Sequence, residues 1–224
     1  MKPIVLRFAT CIFLLLILIT PVLAGPPLIC HRLEIGTAKS LPWSGDSWNL
    51  TGNESYDTKN LVRDTLAILD SNPAVLVRME TLRRATLYGK RDTQAAQELF
   101  TRLYARATSK QADALASFDA GYLAATYSQW LGRVEGQQNP AAGIDGYALV
   151  KKALLLRGTD SEMEFAAALI TLHGPEKDHQ EYAQKALAGA KNDPLLAQNL
   201  SIQFLGEKQT VAQMLSRNKT GVQK

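Results

Sequence analysis

Cysteine is nearly missing from this sequence. Its 224 residues hold two, Cys11 and Cys30. Cys11 falls in an apolar leader, which leaves Cys30 alone in the body of the chain. That excludes an internal disulfide there, so the fold must be held by its core. Histidine is also scarce, with His31, His173 and His179 only. No C-x-x-C, C-x-x-C-H or H-E-x-x-H spacing accompanies them, so no metal site is expected. There is no G-x-S-x-G and no P-loop, and no nucleophile, base and orienting group can be assembled from the pattern. The chain carries no catalytic motif and asks for no cofactor. Aromatics make up 7%, and no basic stripe with interleaved aromatics occurs, which excludes the usual nucleic-acid footprint. From residue 57 onward no alternating run of Val, Ile and Thr appears, which excludes a β fold.

What is present begins with the leader. Lys2 and Arg7 form a positive start, Phe8 to Ile19 is almost wholly apolar, and Pro21 breaks the run. Val22-Leu23-Ala24 is a small-residue cleavage pattern, so residues 1–24 read as a signal peptide cut before Gly25. The run is short of the roughly 20 residues a spanning helix needs, so no stable membrane span is expected after cleavage. The alternative is a leader kept as an anchor. Export places the mature chain in the periplasm, envelope or medium. Both leader charges are basic, so 23 basic and 21 acidic side chains remain, and the sequence pI overstates the basicity of the mature chain. About 200 residues are enough for one sizeable core.

Residues 25–56 are rich in Gly, Pro, Ser and Asn and carry Trp43 and Trp48. This composition predicts an irregular N-terminal strap with its tryptophans docked on the domain behind. The adjacent Cys30 and His31 raise a second reading, an exported thiol- or metal-dependent enzyme. Neighbours in an extended chain point apart, however, and rarely ligate one ion together. Four N-x-[ST] sequons, at Asn49, Asn53, Asn199 and Asn218, matter if the host glycosylates exported proteins.

Helix formers dominate from residue 57. Asn72-Pro73 and Asp193-Pro194 each place a capping residue before a proline, the pattern of a helix start. Ser161 with Glu164 suggests a capping box. Gly89, Gly174 and Gly206 fall where helices should stop. These marks predict helices near 57–69, 74–88, 93–107, 111–131, 144–157, 161–173, 178–190, 194–205 and 208–216, with residues 217–224 a disordered tail. The helix at 111–131 carries two apolar faces, Ala112, Ala116, Ala120, Leu123 and Tyr127 on one, and Leu115, Phe118 and Tyr122 on the other. A helix of that kind is sandwiched between neighbours.

The turns repeat. Leu66, Leu103, Leu154 and Leu187 are each followed six residues later by Asn72, Ser109, Asp160 and Asp193. Taken as caps, these stand 37, 51 and 33 residues apart, and the long step contains the loop-like "GRVEGQQNPAAG" at 132–143. Without that loop the steps cluster near the roughly 34 residues of a helix–turn–helix repeat. The segments "YALVKKALLLRGTD" (147–160), "EYAQKALAGAKNDP" (181–194) and "DTLAILDSNP" (64–73) resemble the second-helix ends of tetratricopeptide repeats. Tyr147, Ala153 and Leu154 match that pattern, as do Tyr182, Ala186 and Leu187. The first-helix signature Trp-x-x-Leu-Gly-x-x-Tyr is absent.

The resemblance implies an all-α fold of stacked antiparallel helix pairs, a solenoid over residues 57–216. It also implies a protein or peptide partner on the concave face that first helices line. In the helix at 74–88, Val75, Met79, Leu82 and Thr86 form a packing stripe, and Glu80, Arg84 and Tyr88 lie opposite at i, i+4 spacing. Arg84 and Tyr88, extended by Phe118 and Tyr122 on the next first helix, are the candidate partner-binding residues, because Arg and Tyr are enriched at binding hot spots. A third reading is a small-molecule carrier with a pocket between helices.

Overall fold

The computed structural model describes residues 28–45, 47–131, 138–173 and 176–205. The leader, the expected helix at 208–216, the tail at 217–224 and both Gly174 and Gly206 lie outside them. The described residues form α-helices and no strand. A 3-10 turn at Thr58–Asn60 leads into α1 (Leu61–Asp70). Then follow α2 (Val75–Gly89), α3 (Thr93–Thr108), α4 (Ala114–Trp130), α5 (Gly146–Arg157), α6 (Ser161–Ile170), α7 (Glu176–Gly189) and α8 (Pro194–Leu205). No helix among the described residues is long and apolar enough to cross a membrane.

The starts of these helices are mostly set by aspartate. Asp92, Asp113, Asp145 and Asp160 each accept from the backbone N–H three residues on, at 2.9, 2.7, 2.9 and 3.0 Å. Asp193 accepts from Leu195 and Leu196 in the same way. Each bond satisfies donors that the first helical turn leaves open. Three expected marks are corrected here. Asn72 caps nothing and sits in the left-handed region at φ 54°. Helix α2 starts at Val75 instead, where Glu162 of α6 accepts from Leu76 N at 2.9 Å. Ser109 closes α3, and Asp113 starts α4. Asp160, not Ser161, caps α6, so there is no capping box with Glu164. Two of the four evenly stepped caps are therefore not caps.

Helices that follow one another in sequence pack together, most extensively α4 on α5, α6 on α7 and α3 on α4. Helices α2, α4 and α6 also pack on one another. Both apolar faces of α4 are covered as its sequence requires, with Phe118, Ala120, Tyr122, Leu123 and Tyr127 all buried. Its contact with α5 is close at one point. A Cβ on Gly146 would fall 2.5 Å from Gly121 O, and one on Gly121 would fall 2.7 Å from Gly146 O. Two glycines facing each other let the backbones touch.

The strap is irregular, as its composition demands, and it is part of the core. Leu28, Ile29, Leu33 and Leu41 are buried within the same cluster as the helices. Each such side chain contributes roughly 1.5–3 kcal/mol by leaving water. Trp43 and Trp48 are half-buried and stack on each other at 4.4 Å.

Candidate functional site

Helix α2 positions the site. Its sequence, VLVRMETLRRATLYG, holds four charged residues, yet almost every side chain on it is buried. Helices α1, α3 and α4 cover its apolar sides. The remaining face, with Glu80, Arg83, Arg84 and Tyr88, lies beneath residues 28–42 of the strap.

The polar groups of this face reach the main chain of the strap. Arg83 Nε donates to Leu28 O at 2.5 Å, and its Nη2 donates to His31 O. Glu80 Oε2 accepts from Leu33 N at 3.1 Å. Arg84 Nη1 donates to Leu41 O at 2.6 Å, and the Tyr88 hydroxyl donates to Pro42 O. Two further helices close the row. Gln129 of α4 accepts from Leu28 N at 3.0 Å. Asn199 of α8 accepts from Glu34 N and donates to Glu34 O, both at 2.8 Å. Ser40 Oγ and Thr81 Oγ1, 3.0 Å apart, add a hydrogen bond between side chains.

The face sets one buried carboxylate against two guanidinium groups. Glu80 is fully buried and takes Arg83 and Arg84 at 2.9 Å each. With Leu33 N, that gives one carboxylate three donors, which is what a buried charge requires. The two arginines also sit over the strap's tryptophans, Arg83 at 4.9 Å from Trp48 and Arg84 at 5.5 Å from Trp43. Tyr88 accepts from Asn53 N at 3.0 Å, and burial pushes its hydroxyl pKa up. Gly52, at φ 75°, lies against that ring, and a Cβ there would come within 2.7 Å of it.

The four residues expected to meet a partner are thus accounted for differently. Tyr88, Phe118 and Tyr122 have no exposed surface, and Arg84 is engaged by Glu80 and Leu41 O. Phe118 and Tyr122 stack at 5.7 Å inside the core. The Tyr122 hydroxyl is buried near Arg83 and Glu80 and has no hydrogen-bond partner among the described residues. The spacing that suggested an open face is real, but the chain's own N-terminal segment occupies it. Arg83, Gln129 and Asn199 were not legible as site residues. Nothing local marks a glutamine or an asparagine on a helix as a backbone reader.

Cys30 is half-buried and His31 is exposed. Burial pushes the Cys30 thiol up, against the pull of Arg83, which is opposite to what a reactive thiolate needs. No group of three or more potential metal ligands occurs among the described residues. A cleft of about 710 Å³ between α1 and α3 is lined by charges already paired, including Arg106–Asp70 at 2.7 Å and Arg102–Glu98 at 2.7 Å. It lacks the apolar lining of a typical small-molecule site. Asn199, one of the four sequon residues, is fully buried. No family model, curated protein or solved structure matches the chain.

Proposed function

We propose that this protein is an exported binding scaffold of the cell envelope that takes an extended peptide segment of a partner protein across α2, α4 and α8. The observation that carries the reading is the row of helix side chains aimed at backbone N–H and C=O groups. Arg83, Glu80, Gln129 and Asn199 hold residues 28–34 through atoms that every peptide has. Buried N–H and C=O groups of any irregular segment need such partners, and here helix side chains supply them without reading the segment's own side chains. The leader supports export, and the stacked helix pairs support a concave binding face of the kind the tetratricopeptide resemblance implies. That last support is analogy of fold, and the groove itself carries more weight.

The test is photocrosslinking in the producing cell. A benzophenone amino acid replaces Gln129 or Tyr104, the first in the groove and the second on α3 away from it. The reading expects one discrete adduct from position 129 and none from 104. Equal adducts from both positions, or none from 129 in a chain that is exported and folded, would refute it.

A further inference from the structure

We propose that residues 28–34 act as an intramolecular ligand of this groove, so that the folded chain holds its own binding site closed. The proposal rests on the binding-scaffold reading for taking the groove as a binding site. An outside segment then enters only by replacing residues 28–34.

The geometry separates this segment from the rest of the strap. Residues 36–39 are exposed, and Gly36 adopts φ 60° with nothing near the place of a Cβ. They divide a first clasp, at 28–34, from a second at Leu41 and Pro42, which Arg84 and Tyr88 hold. The first clasp can therefore leave while the second stays. Trp48, whose Nε1 donates to Ile29 O at 2.5 Å, ties the first clasp to the remainder of the strap.

The contacts also state what would compete. Leu28, Ile29 and Leu33 are the side chains buried, while Cys30 and Arg32 are half-buried and His31 is exposed. The helix hydrogen bonds to Leu28, His31, Leu33 and Glu34 go to main-chain atoms. The groove thus asks for aliphatic residues at the first, second and sixth places. Free N–H groups are needed at the first, sixth and seventh places, which excludes proline there. A tethered segment is present at an effective concentration on the order of millimolar, so a competitor of ordinary affinity stays out until the clasp loosens.

The experiment uses the purified full chain, its Leu28→Ser/Leu33→Ser variant, and a fluorescein-labelled peptide with the sequence of residues 27–35 and serine in place of the cysteine. Anisotropy should show the variant binding at least tenfold more tightly than the unmodified chain. N-methylation of the peptide at its Leu33 and Glu34 positions should weaken binding at least tenfold, and alanine at positions 30–32 less than threefold. Equal binding to both chains, or no binding to a variant with unchanged helical CD and a cooperative melt, would overturn the proposal. If the variant fails to fold, hydrogen exchange of the unmodified chain decides. Leu33 and Glu34 amides must exchange at least a hundredfold faster than those of Leu123 and Ala166, and faster still with excess peptide; exchange as slow as the core's overturns it. Absence of a cellular crosslink would count against the scaffold reading and leave these peptide results standing.

Discussion

Asn199 and Glu34 stand 165 residues apart and exchange two hydrogen bonds of 2.8 Å, one in each direction. The pair joins the strap to the last described helix. A single amide side chain satisfies both main-chain groups of one residue, so the contact fixes the strap's direction without reading the side chain of Glu34. Asn199 Nδ2 also donates to Leu195 O at 2.9 Å, which locks its rotamer within α8.

Asn199→Ala should therefore leave both Glu34 groups unpaired and lower stability by about 1–3 kcal/mol in urea unfolding. Protection of the Glu34 amide should fall in hydrogen exchange while α4 amides keep theirs at the level of the new global stability. In a glycosylating host, mass spectrometry of the folded protein should find Asn199 unmodified, since its side chain is buried.

Glu80→Gln should be far more damaging than its single-atom change suggests. It leaves Arg83, buried, and Arg84, nearly so, without their counter-charge, at a cost of about 3–5 kcal/mol. The double variant Glu80→Leu/Arg83→Met removes the buried charges together and should be less destabilised than the sum of its parts. A double-mutant cycle on urea midpoints should show coupling of about 1–3 kcal/mol. Additive effects would mean that the two side chains act independently.

Much of the fold was legible because it is written locally. Eight helices follow from apolar spacing and from acidic residues such as Asp193 placed ahead of them. The strap follows from its Gly, Pro and Ser content. The face of α2 was misread because its cover comes from sequence some forty residues away. Glu80, Arg84 and Tyr88 share a face at i, i+4 spacing, as solvated residues do. One clue was present. Arg78 lies on the opposite side of α2 from Glu80 and Arg83, so no single side is left for water. Each of these charges therefore needed a protein partner. Asp119 supplies one for Arg78, at 2.6 Å, and Glu80 supplies one for Arg83. The start of α2 was placed to within a residue, but its cap was assigned to Asn72 because the true one, Glu162, comes from α6.

The facing glycines of α4 and α5 make a sharp steric prediction. In Gly146→Ala the new methyl meets Gly121 O and Ala125 N, both backbone atoms that cannot rotate away. Overpacking of this kind costs about 1–3 kcal/mol or more. The melting temperature should drop by several degrees, although alanine is the better helix former. Gly121→Ala should do the same. A melting temperature at or above that of the unmodified protein would show that α5 shifts freely on α4.

Asp119 sets the direction of the pH response. It is buried on α4, bonded to Arg78, and its Oδ1 has no hydrogen-bond partner among the described residues. Burial pushes its carboxyl pKa up to about 7, with Arg78 and the more distant Arg106 pulling the other way and Asp113 adding to the rise. A carboxyl raised above its unfolded value favours folding in its protonated form. Its contribution is fully present below the unfolded value near 4 and is lost as pH rises through 7. Burial also raises Glu162 and Glu164, which act in the same sense. The urea midpoint should therefore increase from pH 8 to pH 5, by up to about 3 kcal/mol from Asp119. Asp119→Asn should be less stable overall, because Arg78 is left without a counter-charge, yet its midpoint should change much less over that range. If instead the urea midpoint stays flat from pH 8 to pH 5, the Arg78 pair governs and holds Asp119 ionised, because a carboxylate charged in both the folded and the unfolded state adds no slope over that range.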